Sequence, residues 1–286
     1  MRDNPWLERR VIAYAHQGGA KEAPSSTLYA IRRALEHGAT GIELDVHATR
    51  DGQLVVCHDP TLDRTTNATG EIADVRLDEI RHLDNAYWFC PGEDAVRGRP
   101  AKDYVLRGRA PGDRELCVAT LSEVLEAFPG VVLNLDIKRC APEVVSYEET
   151  LAGVLGEHDR QDDVIVASFS DAATAKFARC VPGTGISAGT EATSEFYRRL
   201  HAGEPPQDDI GRYVALQVPA RLGPVVLLDE RFVDVAHSSG LAVHVWTIDD
   251  PDEMEHLVSL GVDGIISDKP SVLAGVLGDL GANWKV

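Results

Sequence analysis

The sequence predicts an α/β fold, a (β/α)8 TIM barrel that occupies residues 1–286 as one domain. Two observations lead to this prediction. Short apolar runs alternate with amphipathic helical stretches along nearly the whole chain, and eight such pairs can be counted. Strands separated by helices form parallel βα units, and eight units close a barrel in a chain of this length. A doubly wound open sheet is the structural alternative, but no strand is followed by the G-x-G-x-x-G pattern that would support it.

The predicted strands and helices follow one another in order. The strands cover residues 11–16, 41–47, 131–138, 164–169, 184–188, 213–219, 242–247 and 263–267. The helices cover residues 27–37, 121–128, 142–157, 172–179, 194–202, 229–238, 251–260 and 271–280. Several helices are followed by a glycine, which ends a helix in the left-handed conformation without strain: Gly38, Gly130, Gly203, Gly240 and Gly261.

Two segments interrupt this alternation. Asp51-Gly52 is a strong two-residue hairpin pattern, so residues 53–58 are expected to run antiparallel to the end of the second strand and to bring His58 beside Asp45. An insertion at about residues 84–120 separates the second and third barrel strands. It carries the aromatic residues Tyr87, Trp88 and Phe89 and the basic residues Arg97, Arg99, Lys102, Arg107, Arg109 and Arg114. The insertion is either a solvated surface segment or a lid that attracts an anionic substrate.

Composition excludes some partners. The net charge of −18 disfavours binding to nucleic acid or to an anionic membrane, although a small phosphorylated substrate remains compatible with it. No apolar run reaches the ~20 residues of a membrane span, and the first ten residues contain no apolar leader. The five cysteines are odd in number and form no C-x-x-C pair, which favours reduced thiols and a cytoplasmic location. The oligomeric state is left open.

Acidic residues mark the expected mouth of the barrel. Active sites of TIM barrels lie at the carboxyl ends of the strands. Glu43 and Asp45 are two residues apart and therefore share one face of the second strand, and Asp136 comes from the next barrel strand. Three neighbouring carboxylates repel one another unless a cation lies between them, and oxygen ligands suit one Mg²⁺ or Ca²⁺, with Mn²⁺ also possible. The alternative is that the acids pair with Lys138 or Arg64.

Two histidines flank the acidic residues. His16 ends the first strand, and His58 returns on the hairpin. A single histidine in a barrel is usually a hydrogen-bonded core residue, but two at one mouth can act as a general acid and a general base. Together with a hard cation and Lys138, they suit the cleavage of a phosphodiester.

The motifs HQGG, EAPSST, GIELDVHATRDGQLVVCHDPTLDRTT, LNLDIK, VHVWTIDD and GVDGIISDKP together resemble those of the glycerophosphodiester phosphodiesterases. The resemblance runs from about residue 11 to about residue 275. It implies a TIM barrel that uses a divalent cation to hydrolyse a small phosphodiester to an alcohol and glycerol 3-phosphate. Matched motif by motif, the resemblance implies that His16 and His58 are catalytic and that Glu43, Asp45 and Asp136 are metal ligands. It also implies that Gln17 and Lys138 contact the phosphate and that Trp246 lines the pocket.

Three departures from the family pattern bear on rate and substrate. Gln17 replaces an arginine that would hold phosphate in a bidentate contact, so basic residues of the insertion are candidates to replace it: Arg97, Arg99, Arg107 and Arg109. Ser25 and Ser26 replace a Glu-Asn pair, and Asp136 replaces a glutamate. Glu22 is a nearby carboxylate that could compensate in part, or an ordinary surface residue.

Three alternative functions remain open. The first is a lysophospholipase D-like hydrolase in which Tyr87, Trp88 and Phe89 hold an acyl chain. The second, suggested by Gln17, is a barrel that binds a phosphorylated ligand with little catalysis. A sugar hydrolase built on two carboxylates ranks last, because it leaves the His-Asp pair of the hairpin unexplained.

Overall fold

Eight parallel strands close into a barrel in the computed structural model, which describes residues 4–7, 10–139 and 141–284. The strands are β1 (Ile12–His16), β2 (Gly41–Ala48), β3 (Val132–Ile137), β4 (Val164–Ala167), β5 (Gly185–Ala188), β6 (Ala215–Pro219), β7 (Ala242–Trp246) and β8 (Gly264–Ser267). Each strand pairs in parallel with the next, and β1 pairs with both β2 and β8, which closes the sheet. The predicted fold class is confirmed.

A helix follows every barrel strand. The helices are α1 (Leu28–Glu36), α2 (Leu121–Ala127), α3 (Glu148–Glu157), α4 (Asp171–Cys180), α5 (Thr190–Ala202), α6 (Glu230–Ser238), α7 (Pro251–Leu260) and α8 (Pro270–Asp279). Apolar side chains between this helical layer and the strands form the main core, which includes Leu44, Phe177 and Leu257. None of the helices in the described ranges is both long enough and apolar enough to cross a membrane.

Two helix starts differ from the prediction by more than one residue. Helix α3 begins at Glu148 rather than at residue 142, because the preceding stretch contains Val144, Val145 and Ser146, which have low helix propensity. Helix α5 begins four residues early, at Thr190. The carboxylate of Asp171 on α4 accepts hydrogen bonds from backbone N–H groups at its start, including that of Glu191 at 2.9 Å. This acceptor satisfies donors that a helix leaves unpaired at its first turn.

The lower part of the barrel is filled by large rings set against glycines. The Tyr14 and His244 rings lie 5.3 Å apart, and both side chains are buried. A Cβ atom at Gly41 would lie 2.7 Å from the Tyr14 ring, and one at Gly264 would lie 2.8 Å from the His244 ring. This packing closes the lower part of the barrel and leaves its carboxyl end as the open mouth. Burial lowers the pKa of His244 to about 3, so this histidine is neutral.

The segment between β2 and β3 covers one side of the barrel. Leu54–Val56 pairs antiparallel with the end of β2, Val46 opposite Val56. The insertion contains a short two-stranded ribbon, Phe89–Cys90 with Asp94–Ala95, and several single helical turns. Its aromatic side chains pack around one cation, since the Arg107 guanidinium lies 3.6 Å from the centre of the Tyr104 ring.

Four cysteines are free thiols in the structure: Cys57, Cys90, Cys117 and Cys180. Cys140 lies outside the described residues. The cytoplasmic location that the cysteine pattern favours stays a prediction.

Candidate active site

The carboxyl ends of the strands open into a cavity of about 810 Å³. Most of the residues predicted to act in catalysis or binding line it: His16, Glu43, His58, Asp136, Lys138 and Trp246. Asp45 lies beneath them and is fully buried. The strand register explains why these side chains meet, because β2 places Glu43 beside His16 of β1 and Asp45 beside Asp136 of β3.

Lys138 lies between two of the carboxylates. Its ammonium nitrogen is 2.8 Å from Oδ1 of Asp45 and 3.1 Å from Oδ2 of Asp136. Burial opposes the charge on Lys138, but the two carboxylates outweigh burial and raise its pKa, so the ammonium stays charged. The alternative pairing of the acids with Lys138 is therefore present in the structure.

One ammonium does not balance three carboxylates. Burial and the charge of Asp45 raise the pKa of Glu43 to about 8, and burial also raises the pKa of Asp136. Neither oxygen of Asp45 accepts a hydrogen bond with good geometry from the residues described, and its 2.8 Å contact with Lys138 is an ion pair. As the side chains stand, no three His, Cys, Asp or Glu residues within the described ranges form a ready set of metal ligands.

The two histidines face each other across the polar side of the cavity. Their ring centres are 6.1 Å apart and the ring planes are nearly perpendicular. Nδ1 of His16 donates to Asp268 at 2.6 Å, and Nδ1 of His58 donates to Asp59 at 2.7 Å. Each ring is therefore fixed by a carboxylate through one nitrogen, which leaves Nε2 as the nitrogen that can exchange a proton with a ligand.

The surroundings of His16 favour its charged form. Burial works against a charged ring, but the hydrogen bond to Asp268 and the charge of Glu43 outweigh burial and raise the pKa of His16 to about 9. Nε2 of His16 lies 3.8 Å from Oε2 of Glu43. Asp268 was not predicted from the sequence as a partner of His16. The only local indication was an aspartate directly after the last barrel strand, at the same edge of the sheet as His16.

Gln17 lies behind His16, and its side chain is almost fully buried. Nε2 of Gln17 is 3.1 Å from Nε2 of His16, and Oε1 of Gln17 accepts a hydrogen bond from Arg64 at 2.9 Å. Arg64 also donates to Asp59 at 3.2 Å and to Asp94 at 2.6 Å. A continuous chain of contacts thus joins His16 to the His58–Asp59 pair. The predicted contact of Gln17 with phosphate stays a prediction, since Gln17 does not line the cavity.

The basic and aromatic residues of the insertion lie away from the cavity wall. The candidates Arg97, Arg99, Arg107 and Arg109 and the aromatic residues Tyr87, Trp88 and Phe89 do not line it. Arg99 pairs with Glu93, and Arg107 stacks on aromatic rings and donates to the carbonyl oxygen of Tyr87. Glu22 accepts a hydrogen bond from the Ser271 hydroxyl. These residues stabilise the covering segment and the start of the last helix rather than the cavity.

Comparisons with known proteins agree on one family. The model of the glycerophosphoryl diester phosphodiesterase family matches residues 16–272. A glycerophosphodiester phosphodiesterase from Caldanaerobacter subterraneus is 31% identical over 272 residues, which is 94% of this chain and 98% of that protein.

Solved structures show the same fold. A glycerophosphoryl diester phosphodiesterase domain from Mycobacterium tuberculosis aligns with a TM-score of 0.76 at 22% identity and covers 94% of this chain and 99% of its own. A phosphodiesterase from Oleispira antarctica, solved with the product sn-glycerol-3-phosphate, aligns with a TM-score of 0.68 at 23% identity, covering 94% of this chain and 97% of its own. The family resemblance is confirmed: the chain belongs to the glycerophosphoryl diester phosphodiesterase family and is a phosphoric diester hydrolase.

Proposed function

We propose that the protein hydrolyses glycerophosphodiesters to an alcohol and glycerol 3-phosphate, with His16 and His58 as the acid–base pair. The observation that carries this proposal is the pair of rings 6.1 Å apart, each held at Nδ1 by a carboxylate and both at the wall of the cavity that contains Lys138. The names of the relatives and the product bound to the Oleispira antarctica enzyme support the same reaction.

The residues of the chain divide the chemistry between them. One histidine removes a proton from the attacking oxygen, which belongs to water or to the neighbouring glycerol hydroxyl, and the other gives a proton to the departing alcohol oxygen. Where the glycerol hydroxyl attacks, the product is a cyclic phosphate, and water then opens its ring with the two histidines in exchanged roles to give glycerol 3-phosphate. Lys138 stabilises the negative charge that develops on the phosphoryl oxygens. Asp268 and Asp59 fix the orientation of the two rings, because each accepts a hydrogen bond from Nδ1.

Gln17 and Arg64 act through the histidines in this scheme. Because Oε1 of Gln17 accepts from Arg64, its amide nitrogen faces Nε2 of His16 and can donate to it only when that nitrogen carries no proton. The Arg64 guanidinium donates to the Gln17 amide oxygen on one side and to the Asp59 carboxylate on the other. The positive charge near residue 17 therefore comes from residue 64 and not from the insertion.

We also propose that Glu43, Asp45 and Asp136 hold one divalent cation, Mg²⁺ or Ca²⁺ or else Mn²⁺. The donors are all carboxylate oxygens, which suit hard cations, and Oδ2 of the buried Asp45 has no hydrogen-bond partner among the described residues, while Oδ1 contacts only the Lys138 ammonium among them. A bound cation would supply positive charge beside a phosphate oxygen. Calorimetric titration should find one site per chain, and Asp45→Asn should weaken binding by at least about tenfold.

The test is the release of glycerol 3-phosphate from glycerophosphocholine by the purified protein. We expect release with Mg²⁺, Ca²⁺ or Mn²⁺ and none with excess EDTA or in His58→Ala. Ligand-dependent thermal stabilisation without turnover under any of these metals would contradict the proposal and favour a barrel that only binds a phosphorylated ligand.

A further inference from the structure

The cavity has two chemically different walls. The histidines, carboxylates and Lys138 form the polar wall described above. The opposite wall is apolar and comes from the ends of the later strands and the segments that follow them, namely Phe169, Tyr197, Leu222, Val225, Leu227 and Trp246. We call this set the apolar wall. Only Trp246 among its members was predicted from the sequence.

Three members of the apolar wall are exposed to an extent that is unusual for large apolar side chains. Phe169 is 60% exposed, Leu222 is 66% exposed and Val225 is 47% exposed. Exposed apolar side chains scattered singly over a surface are ordinary, but several together at one cavity mouth mark a ligand-binding groove or another interaction site.

A short hairpin after β6 presents two of these side chains together. Arg221–Leu222 pairs antiparallel with Val225–Val226, and Leu222 lies directly opposite Val225. Directly opposite residues share a face, so both side chains line the cavity. Val226 is 48% exposed but is the partner of Arg221 on the other face and does not line the cavity. The apolar face of this hairpin is thus directed at the active site.

The two walls meet without a gap. The ammonium nitrogen of Lys138 lies 5.8 Å from the centre of the Phe169 ring, and that ring packs edge-on against Trp246 at 5.9 Å. A phosphate bound at Lys138 would therefore have the Phe169 and Trp246 rings within reach of a group esterified to it. The volume of about 810 Å³ is near the upper end of the roughly 300–1,000 Å³ found for small-molecule sites. A small polar alcohol would leave most of the apolar wall in water.

We propose that the apolar wall binds an aliphatic chain carried by the phosphodiester substrate. The proposal rests on the proposed function and adds the substrate class, a phosphodiester with an apolar chain on one of its two alcohols. Charge disfavours an anionic lipid surface as the occupant, because the chain carries a net charge of −18. Continuity with the polar wall favours an occupant attached to the phosphate itself.

The experiment measures kcat/KM for two series of monomeric substrates with the metal-loaded protein. In one series the alcohol esterified to glycerol 3-phosphate grows from methyl to n-octyl, and in the other a short acyl chain on glycerophosphocholine grows to octanoyl. In at least one series we expect kcat/KM to rise by up to about fourfold per methylene, since a buried methylene contributes ~0.8 kcal/mol. The series in which kcat/KM rises identifies the alcohol that carries the aliphatic chain in the preferred substrate.

A matched pair of variants assigns the effect to the hairpin. Leu222→Ser combined with Val225→Thr should flatten the rise with chain length, so that kcat/KM for the octyl or octanoyl substrate falls toward the value for the shortest member of its series. Val226→Thr, on the opposite face, should keep the rise. Flat profiles in both series with normal glycerophosphocholine turnover would overturn this inference alone, as would a rise seen only above the micelle concentration. Absence of turnover on all substrates would overturn the proposed function instead.

Discussion

The contact between His58 and Asp59 gives the sharpest mutational prediction. Oδ1 of Asp59 accepts two hydrogen bonds, one from Nδ1 of His58 at 2.7 Å and one from Nε of Arg64 at 3.2 Å. Asp59→Ala removes both acceptor contacts. Asp59→Asn places an amide oxygen at the same position, so it keeps both contacts and removes only the charge.

The expected magnitude follows from these contacts. A hydrogen bond to a charged group contributes about 1.5–3 kcal/mol, so losing the one that orients His58 should lower kcat by about 10- to 150-fold in Asp59→Ala. In Asp59→Asn the expected fall in kcat is only about tenfold, because the His58 ring keeps its orientation. KM should change little in both variants if Asp59 acts through His58 and does not touch the substrate.

The assay is steady-state release of glycerol 3-phosphate from glycerophosphocholine at saturating metal, with thermal unfolding measured in parallel. Asp78→Asn serves as the control, since Asp78 is a highly exposed aspartate that forms a surface ion pair with Arg76. A kcat for Asp59→Ala within about twofold of the wild-type value would refute the role of Asp59. Equal losses in the Ala and Asn variants would show that charge, not orientation, is what Asp59 provides.

Three further predictions concern other parts of the molecule. Arg64→Met should lower the free energy of unfolding by about 1–3 kcal/mol, because it leaves the half-buried Asp94 carboxylate without its ion-pair partner, and denaturant titration measures this. Gly264→Ala should cost about 1–3 kcal/mol in the same titration, since the added Cβ would lie 2.8 Å from the His244 ring; an unchanged midpoint would contradict the packing. The hydrogen bond to Asp263 raises the pKa of His237, so its stabilising contribution is complete below the ordinary pKa and is lost as pH rises through the folded-state pKa. His237→Phe should therefore lower Tm more at about pH 5.5 than at about pH 9.

Local patterns in the sequence were sufficient to predict the barrel and the polar wall. Alternation of strands and helices implies parallel βα units, and parallel strands bring their carboxyl ends to one edge. The two-residue spacing of Glu43 and Asp45 places both on one face, which the register with Asp136 and His16 confirms. These features depend on chain periodicity, and periodicity can be read without knowing which strands are neighbours in space.

Contacts across the barrel could not be predicted in this way. Asp268 fixes His16 from 252 positions away, and Arg64 reaches Gln17 across 47 positions. The start of α5 depends on Asp171 of another helix. The hairpin that carries Leu222 has no distinctive composition. Its apolar face can be related to the active site only when the position of the cavity is known. Sequence spacing predicts the face of a strand but not the partner that a side chain meets.

The most direct test of the account compares His16→Ala and His58→Ala on two substrates. Glycerophosphocholine needs a proton delivered to its departing alcohol, whereas the p-nitrophenyl ester of glycerol 3-phosphate releases a stable anion that does not. If the histidines are acid and base, each variant should lose at least about 10²-fold in kcat on glycerophosphocholine, and one of the two should recover most of this loss on the p-nitrophenyl ester. Near-normal turnover in both variants, or equal losses on both substrates, would contradict the proposed acid–base pair.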